Sequence, residues 1–303
     1  LKGVIDSPDI PLNVSRSYLQ SDASVKKITN YITRKVADKL NSIFKNEREN
    51  LESKWNDIKV VIEYGMLTED KFYDKAESFN LYPTVDDKYF TYEELEKKIK
   101  KLQTDKDGNL IILYAQNKDE QYTYIESAKE KGYEVLLLDS PIIPHLMQKL
   151  ESKKEKIKFS RVDSDTLENL IKKDDEVISK LTDEEKEKLK PMIETAVENE
   201  KYTVQLEALD SNSMPFMLAQ PEFMRRMKEM QQTGGGAMGN LPDMYSLIVN
   251  TNHELVGKIL NTRTEKKRNS LIKQSIDLAK LSQNNLTGKD LTEFINRSID
   301  LIK

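Results

Sequence analysis

Two apolar runs, LIILYA at residues 110–115 and YEVLLL at 133–138, flank a polar stretch of helix-forming residues. No other feature restricts the possible folds as much. A strand that is apolar at consecutive positions is buried on both faces, which is the habit of parallel rather than antiparallel sheets. Residues 118–131 are long enough for a helix, and Gly132 is placed to end it. The spacing predicts a parallel βαβ unit with a right-handed crossover. A helix over 143–150 and a third strand, KIKFSRV at 156–162, complete a small α/β subdomain.

On the amino-terminal side, Val25, Ile28, Ile32, Val36, Leu40 and Phe44 recur at spacings of three and four, the stripe of an amphipathic helix over 24–44. A second helix is predicted over 49–63, with Leu51, Trp55, Ile58 and Ile62 on one face. Residues 68–87 read as short, aromatic and irregular, and a helix over 92–102 is capped by Thr91 with Glu94 three places on. On the carboxy-terminal side, the acidic and lysine-rich stretch 163–190 reads as a domain junction. Thr182 and Glu185 start a fresh helix as a capping box. KYTVQLEAL at 201–209 is a strand, TGGGAMGN at 233–240 a linker, YSLIV at 245–249 strand-like, and helices follow over 254–260, 265–281 and 289–302. The expected divisions are 1–105, 106–173 and 174–303, in a multidomain chain mixing α+β and α/β regions.

Composition narrows the function classes. The 303 residues are 37% hydrophobic and 33% charged, polar for a compact enzyme, and 48 Lys and Arg against 52 Asp and Glu leave a net charge of -4. That balance offers no footprint for nucleic acid or an anionic membrane. Cysteine is absent, which fits a reducing, cytoplasmic compartment. No run approaches the roughly 20 apolar residues of a membrane span. The start, LKGVIDSPDI, has neither the pattern of a secretory signal nor an initiator methionine, so the chain is expected to be a piece of a longer one. His145 and His253 are the only histidines, each read as a helix-start or packing residue, and no metal site is expected. GGGAMG lacks the lysine and Ser/Thr of a phosphate-binding loop. The carboxylates of DDEVISKLTDEEKEK lie in mixed-charge surroundings that do not tune a catalytic pair.

The segment MPFMLAQPEFMRRMKEM, 214–230, stands out. As a helix from Pro221 it places Phe223, Met227 and Met230 on one face with Met224 beside them, and Arg225, Arg226, Lys228 and Glu229 largely opposite. Such a helix either turns the methionines into a core or presents them as an adaptable surface, since methionine suits ill-defined apolar partners. The last two helices carry Leu271, Ile272, Ile276, Leu278 and Leu281, then Leu291, Phe294, Ile295, Ile299 and Ile302. A helical hairpin with stripes this broad is expected to meet its own copy in a two-fold four-helix interface, packing onto its own domain being the alternative.

Near the start, DIPLNVSRSYLQ, 9–20, sets Arg16 at a turn from an extended stretch into a helix. A guanidinium there suits either a phosphate or an ordinary salt bridge, and local chemistry leaves both open. The stretch GVIDSPDIPLNVSRSYLQ resembles the strongest middle-domain signature of the 90-kilodalton heat-shock chaperone family, particularly its bacterial branch. The likeness continues through LIILYAQNKDEQY, KGYEVLLLDSPI, IVNTNHELV and the last helices.

The resemblance implies the end of a large α-β middle subdomain, a helical connector, the small βαβ subdomain and a mixed α/β dimerisation domain ending in the helical hairpin. It implies that Arg16 reaches the γ-phosphate of ATP held with Mg2+ in a separate amino-terminal ATPase domain, that Gln20 belongs to the same catalytic loop and that Asn13 shapes it. Ser17 stands where the family has glutamate, which removes any local ion pair of that side chain. Phe216, Met217, Phe223, Met224 and Met227 are implied to contact non-native client proteins. Leu271, Ile272, Ile276, Leu291, Phe294, Ile295 and Ile299 are implied to join a homodimer. Without the nucleotide pocket, these 303 residues alone are expected neither to bind ATP tightly nor to hydrolyse it. Tetratricopeptide cochaperones recruited through an acidic carboxy-terminal peptide are not expected. The competing reading is a non-catalytic adaptor dimer that binds partner proteins through the Met-rich helix.

Overall fold

The computed structural model describes residues 23–174, 177–197, 201–234 and 244–302. The chain divides into two compact units, residues 1–81 with 89–93, and residues 82–88 with 94–303. In the first, helices α1 (Ala23–Asn46), α2 (Arg48–Thr68) and α3 (Asp70–Ala76) pack together. Leu51, Trp55 and Ile62 of the predicted stripe are buried on α2 together with Met66, beyond the predicted helix end, while Ile58 is half-buried. On α1 the inward position is Ala37, whereas Val36 of the predicted stripe is exposed. The small alanine lets a neighbouring helix approach. The aromatic stretch expected to be irregular includes α3, whose Phe72 meets Phe79 edge to face at 6.5 Å. Gly65 makes room for it: a Cβ there would lie 2.9 Å from the Phe72 ring.

The second unit holds β1 (Tyr82–Pro83), followed across a segment of the first unit containing β2 (Tyr89–Phe90) by α4 (Tyr92–Gln103). Next come β3 (Leu110–Ala115), α5 (Tyr122–Glu130), β4 (Val135–Leu137), α6 (Ile143–Lys153), β5 (Ile157–Arg161) and α7 (Leu167–Leu170). The sheet order is β4-β3-β5, all parallel, with Leu113 opposite Val135 and Ile112 opposite Phe159. β3 is central and buried at all six positions, the reason for its unbroken apolar run. Gly132 closes α5 at φ +75°, with its N–H donating to Lys129 O and that of Tyr133 to Ala128 O. That pair of bonds satisfies carbonyls the helix end would otherwise orphan.

Helix α8 (Asp183–Glu194) starts with the predicted capping box, Thr182 and Glu185 each bonding the other's backbone N–H. A second three-stranded sheet follows: β6 (Tyr202–Glu207), β7 (Phe216–Ala219) and β8 (Tyr245–Asn250), in the order β6-β8-β7. β6 runs parallel and β7 antiparallel to β8. Between β7 and β8 lies α9 (Glu222–Gly234), and α10 (Glu254–Asn261), α11 (Glu265–Ser282) and α12 (Gly288–Ile302) complete the chain. His253 caps α10, its Nδ1 accepting from Leu255 N–H at 3.0 Å. Leu189, Ile193, Val204, Phe216, Leu247, Val256, Ile272 and Ile276 share one core beneath this sheet. The whole is a mixed α/β fold with a βαβ subdomain and a terminal helical hairpin. No helix among the described residues is long and apolar enough to cross a membrane.

Candidate functional site

Helix α9 leaves Pro221 with Glu222 in its first turn, where a carboxylate is favoured by the N-terminal dipole. Its next polar residues, Arg225, Arg226 and Glu229, are three, four and seven places on, so all four lie along one side. That side faces inward. Arg225 is only 3% exposed, and Glu222 and Arg226 are partly buried. Glu222 Oε1 accepts from Tyr114 Oη of β3 at 2.8 Å, from Arg225 Nη2 at 2.6 Å and from Arg226 Nε at 2.7 Å, while Oε2 accepts from the backbone N–H of Arg161 at 3.1 Å. Arg225 also donates to Tyr114 Oη and, at 2.5 Å, to Glu229 Oε1. Arg226 forks onto both oxygens of Glu151 on α6, at 2.8 and 3.2 Å, and reaches Phe159 O at 2.5 Å. Arg161 holds Asp163 through two nitrogens and Gln116 through the third.

The electrostatics follow from this enclosure. Burial opposes ionisation of Glu222, but Arg225, Arg226 and the Tyr114 hydroxyl outweigh it and hold its carboxyl below the ordinary glutamate range. Burial and then the Glu222 charge push the Tyr114 phenol up, so it stays a neutral donor. Buried guanidinium is tolerated here because each is met by carboxylates in directional, charge-assisted bonds.

The arginines, expected largely opposite the methionines, are therefore the attachment of α9 to the parallel sheet, and the apolar side is left open. Phe223 is 70% exposed, and it lines a cavity of about 770 Å³ with Met227, Met230, Pro144 and Phe159. Met224 is half-buried on the same helix. Of the other two predicted contacts, Phe216 lies inside the core on β7 and Met217 lines a different cavity. β7 itself is unanticipated: the run MPFMLA precedes the helix expected from Pro221, and its strand character depends on pairing with β8 some thirty residues on. The sequence reading also passes over Tyr114, Glu151, Arg161 and Glu222. The Glu-x-x-Arg-Arg-x-x-Glu spacing was the available signal for the last of these.

At the other end of the unit, Ile272 and Ile276 point into their own domain's core and are unavailable to a second copy, contrary to the expectation for them. The domain sheet lies along that face of α11 and takes its most central isoleucines. Leu271, Leu291 and Phe294 are partly buried, whereas Ile295 and Ile299 are 47% and 48% exposed, and Leu278 and Leu281 also reach the surface. Arg297 with Asp277, Lys273 with Glu293 at 3.1 Å and Gln274 with Ser298 at 2.8 Å fasten α12 to α11. Asn13, Arg16 and Gln20 lie outside the described residues, as does most of the glycine-rich linker, from residue 235.

A model of the family described as Hsp90 protein matches residues 1–298. The chaperone protein HtpG of Bacteroides thetaiotaomicron is 43% identical over 371 aligned positions, covering 100% of this chain and 54% of the relative. HtpG of Porphyromonas gingivalis is 46% identical over 286 positions, covering 93% and 42%. HtpG of Bdellovibrio bacteriovorus is 27% identical over 88% of the chain and 43% of the relative. The chain spans about half the length of the curated relatives it matches.

Proposed function

The chain belongs to the Hsp90 protein family, and from that premise we propose that it is the client-holding and dimerising part of an ATP-dependent, cytoplasmic molecular chaperone. Residues 106–173 and 174–303 act as its small α/β middle subdomain and its dimerisation domain. The observation that carries the client role is the orientation of α9. Its charged side is spent on the sheet through Arg225 and Arg226, while Phe223, Met227 and Met230 border an open cavity. Non-native proteins expose the apolar side chains such a surface takes up, and methionine tolerates their variety. Met224 borders this surface on the same helix, and Met217 contributes from a separate cavity.

Dimerisation falls to Leu278, Leu281, Ile295 and Ile299, four of the apolar residues that the hairpin leaves at the surface, with Leu271, Leu291 and Phe294 at the margin. Arg16 is assigned to the γ-phosphate of ATP bound in an ATPase domain that these residues do not include, with Gln20 and Asn13 shaping its loop. Among the described residues no group of three His, Asp or Glu side chains is placed to hold a metal ion. Mg2+ and the nucleotide are assigned to that other domain on the family relationship alone.

The test is suppression of heat aggregation of an unrelated protein by the 303-residue chain. Met224→Ser with Met227→Ser should weaken the suppression while the circular dichroism melt shifts by no more than about 4 °C, the size of a 1 kcal/mol change in a small domain. Equal suppression by the folded double variant overturns the client role of α9. Failure of the unsubstituted chain to suppress aggregation overturns the holding function itself.

A further inference from the structure

A second cavity, of about 580 Å³, opens between α5, the β5–α7 turn and the loop from Leu209 to Met217. Its floor is apolar: Tyr124, Leu167, Leu209 and Met217. Met217 packs against both the core of the parallel sheet and the small cluster of Leu209, Ala219 and Ile248, so the floor is the seam where two cores meet. Tyr124 is fixed there by Gln283 Nε2, which donates to its hydroxyl at 2.9 Å. The volume falls within the about 300–1,000 Å³ of sites that hold ligands or inserted side chains.

The rim is one-sided in charge. Glu130, Asp165, Glu168 and Asp210 line it against a single cation, Lys131, which is already paired with Glu168 at 2.6 Å. Asp165 accepts only from Thr166 N–H and the Asn169 amide, and Asp210 from Asn212 N–H. Glu130, Asp165 and Asp210 thus have no cationic partner among the described residues. Three uncompensated carboxylates around an apolar floor within one open cavity favour a ligand whose cations sit beside apolar side chains.

We propose that this cavity is a docking groove for a cationic polypeptide segment, one with Lys or Arg adjacent to an aliphatic or aromatic side chain. The apolar side chain occupies the floor between Leu167 and Met217 and the cations meet Glu130, Asp165 and Asp210. The groove is separate from the α9 surface and shares none of its lining residues.

The probe is a short fluorescein-labelled peptide alternating lysine and leucine, titrated with the 303-residue chain by fluorescence anisotropy, with a glutamate–leucine peptide of equal length as comparison. The lysine peptide should bind, more weakly as salt is added, and the glutamate peptide should not. Glu130→Lys with Asp210→Asn, which keeps the acceptor for Asn212, should weaken binding about tenfold. The chain has no cysteine, so a dye on Ser213→Cys in the otherwise unsubstituted chain reports on this groove without depending on the folding of the charge variant. Its emission should change with the lysine peptide alone. Equal binding of both peptides, no response at position 213, or undiminished binding in the Glu130→Lys, Asp210→Asn variant would each overturn the proposal.

Discussion

Replacing Glu222 with glutamine tests whether charge, rather than apolar packing, holds α9. The substitution keeps the shape of the side chain but removes the negative charge that meets Arg225 and Arg226 together, and turns an NH2 towards groups that donate. Breaking a buried pair by removing one partner costs about 3–5 kcal/mol. Arg225 retains Glu229 and Arg226 retains Glu151, so the loss should fall at the lower end, about 3 kcal/mol. In urea this is a midpoint lower by about 1–2 M if the unit unfolds cooperatively. Hydrogen exchange should show the α9 amides opening first, since their attachment is the interaction removed.

The acid dependence has a definite sign. The folded carboxyl titrates below the unfolded one, so its contribution is present above the ordinary glutamate pKa of about 4.3 and is lost as the pH falls through the lower folded value. The two proteins should therefore differ most at neutral pH and converge in acid. A Glu222→Gln protein within about 0.5 kcal/mol of the original at pH 7, the range of a surface change, would refute the reading of α9 as charge-held.

Ile295→Asp with Ile299→Asp should leave the monomer folded and shift it from dimer to monomer in sedimentation, because both side chains are exposed in the single chain. Gly132→Ala places a side chain at φ +75° and should cost about 1–2 kcal/mol, read as a lower thermal midpoint without loss of dimerisation. In the parent protein containing the ATPase domain, Arg16→Ala should lower ATP turnover about 100-fold or more while aggregation suppression by the nucleotide-free protein is unchanged. Retained turnover would remove Arg16 from the reaction.

Much of the fold is legible wherever local pattern and burial coincide. LIILYA is buried on both faces and reads so, Gly132 stops α5 by a backbone geometry that favours glycine, and Thr182 with Glu185 signals its helix within four residues. The misreadings arise where a residue's partner is remote. Arg225 is legible only as lying opposite the methionines, and its place is decided by Tyr114, 111 residues earlier. Phe216 is expected among the client contacts because nothing adjacent announces β8, against which it pairs. Ile272 and Ile276 share a stripe with residues that do reach the surface, and only the sheet beneath α11 tells the two groups apart. Arg16 is legible through family resemblance alone, since one guanidinium at a turn has no chemistry that names its ligand.

The client role of α9 is tested most directly by cross-linking. With no cysteine in the chain, Met227→Cys carries a single photoreactive group beside the cavity shared with Phe223 and Met230. Mixed with an unfolded protein and with the same protein folded, it should form adducts with the unfolded form and few with the folded one, and Phe223→Ser should reduce them. Equal labelling of both forms, or no adducts while the chain still suppresses aggregation, would contradict the client role of α9.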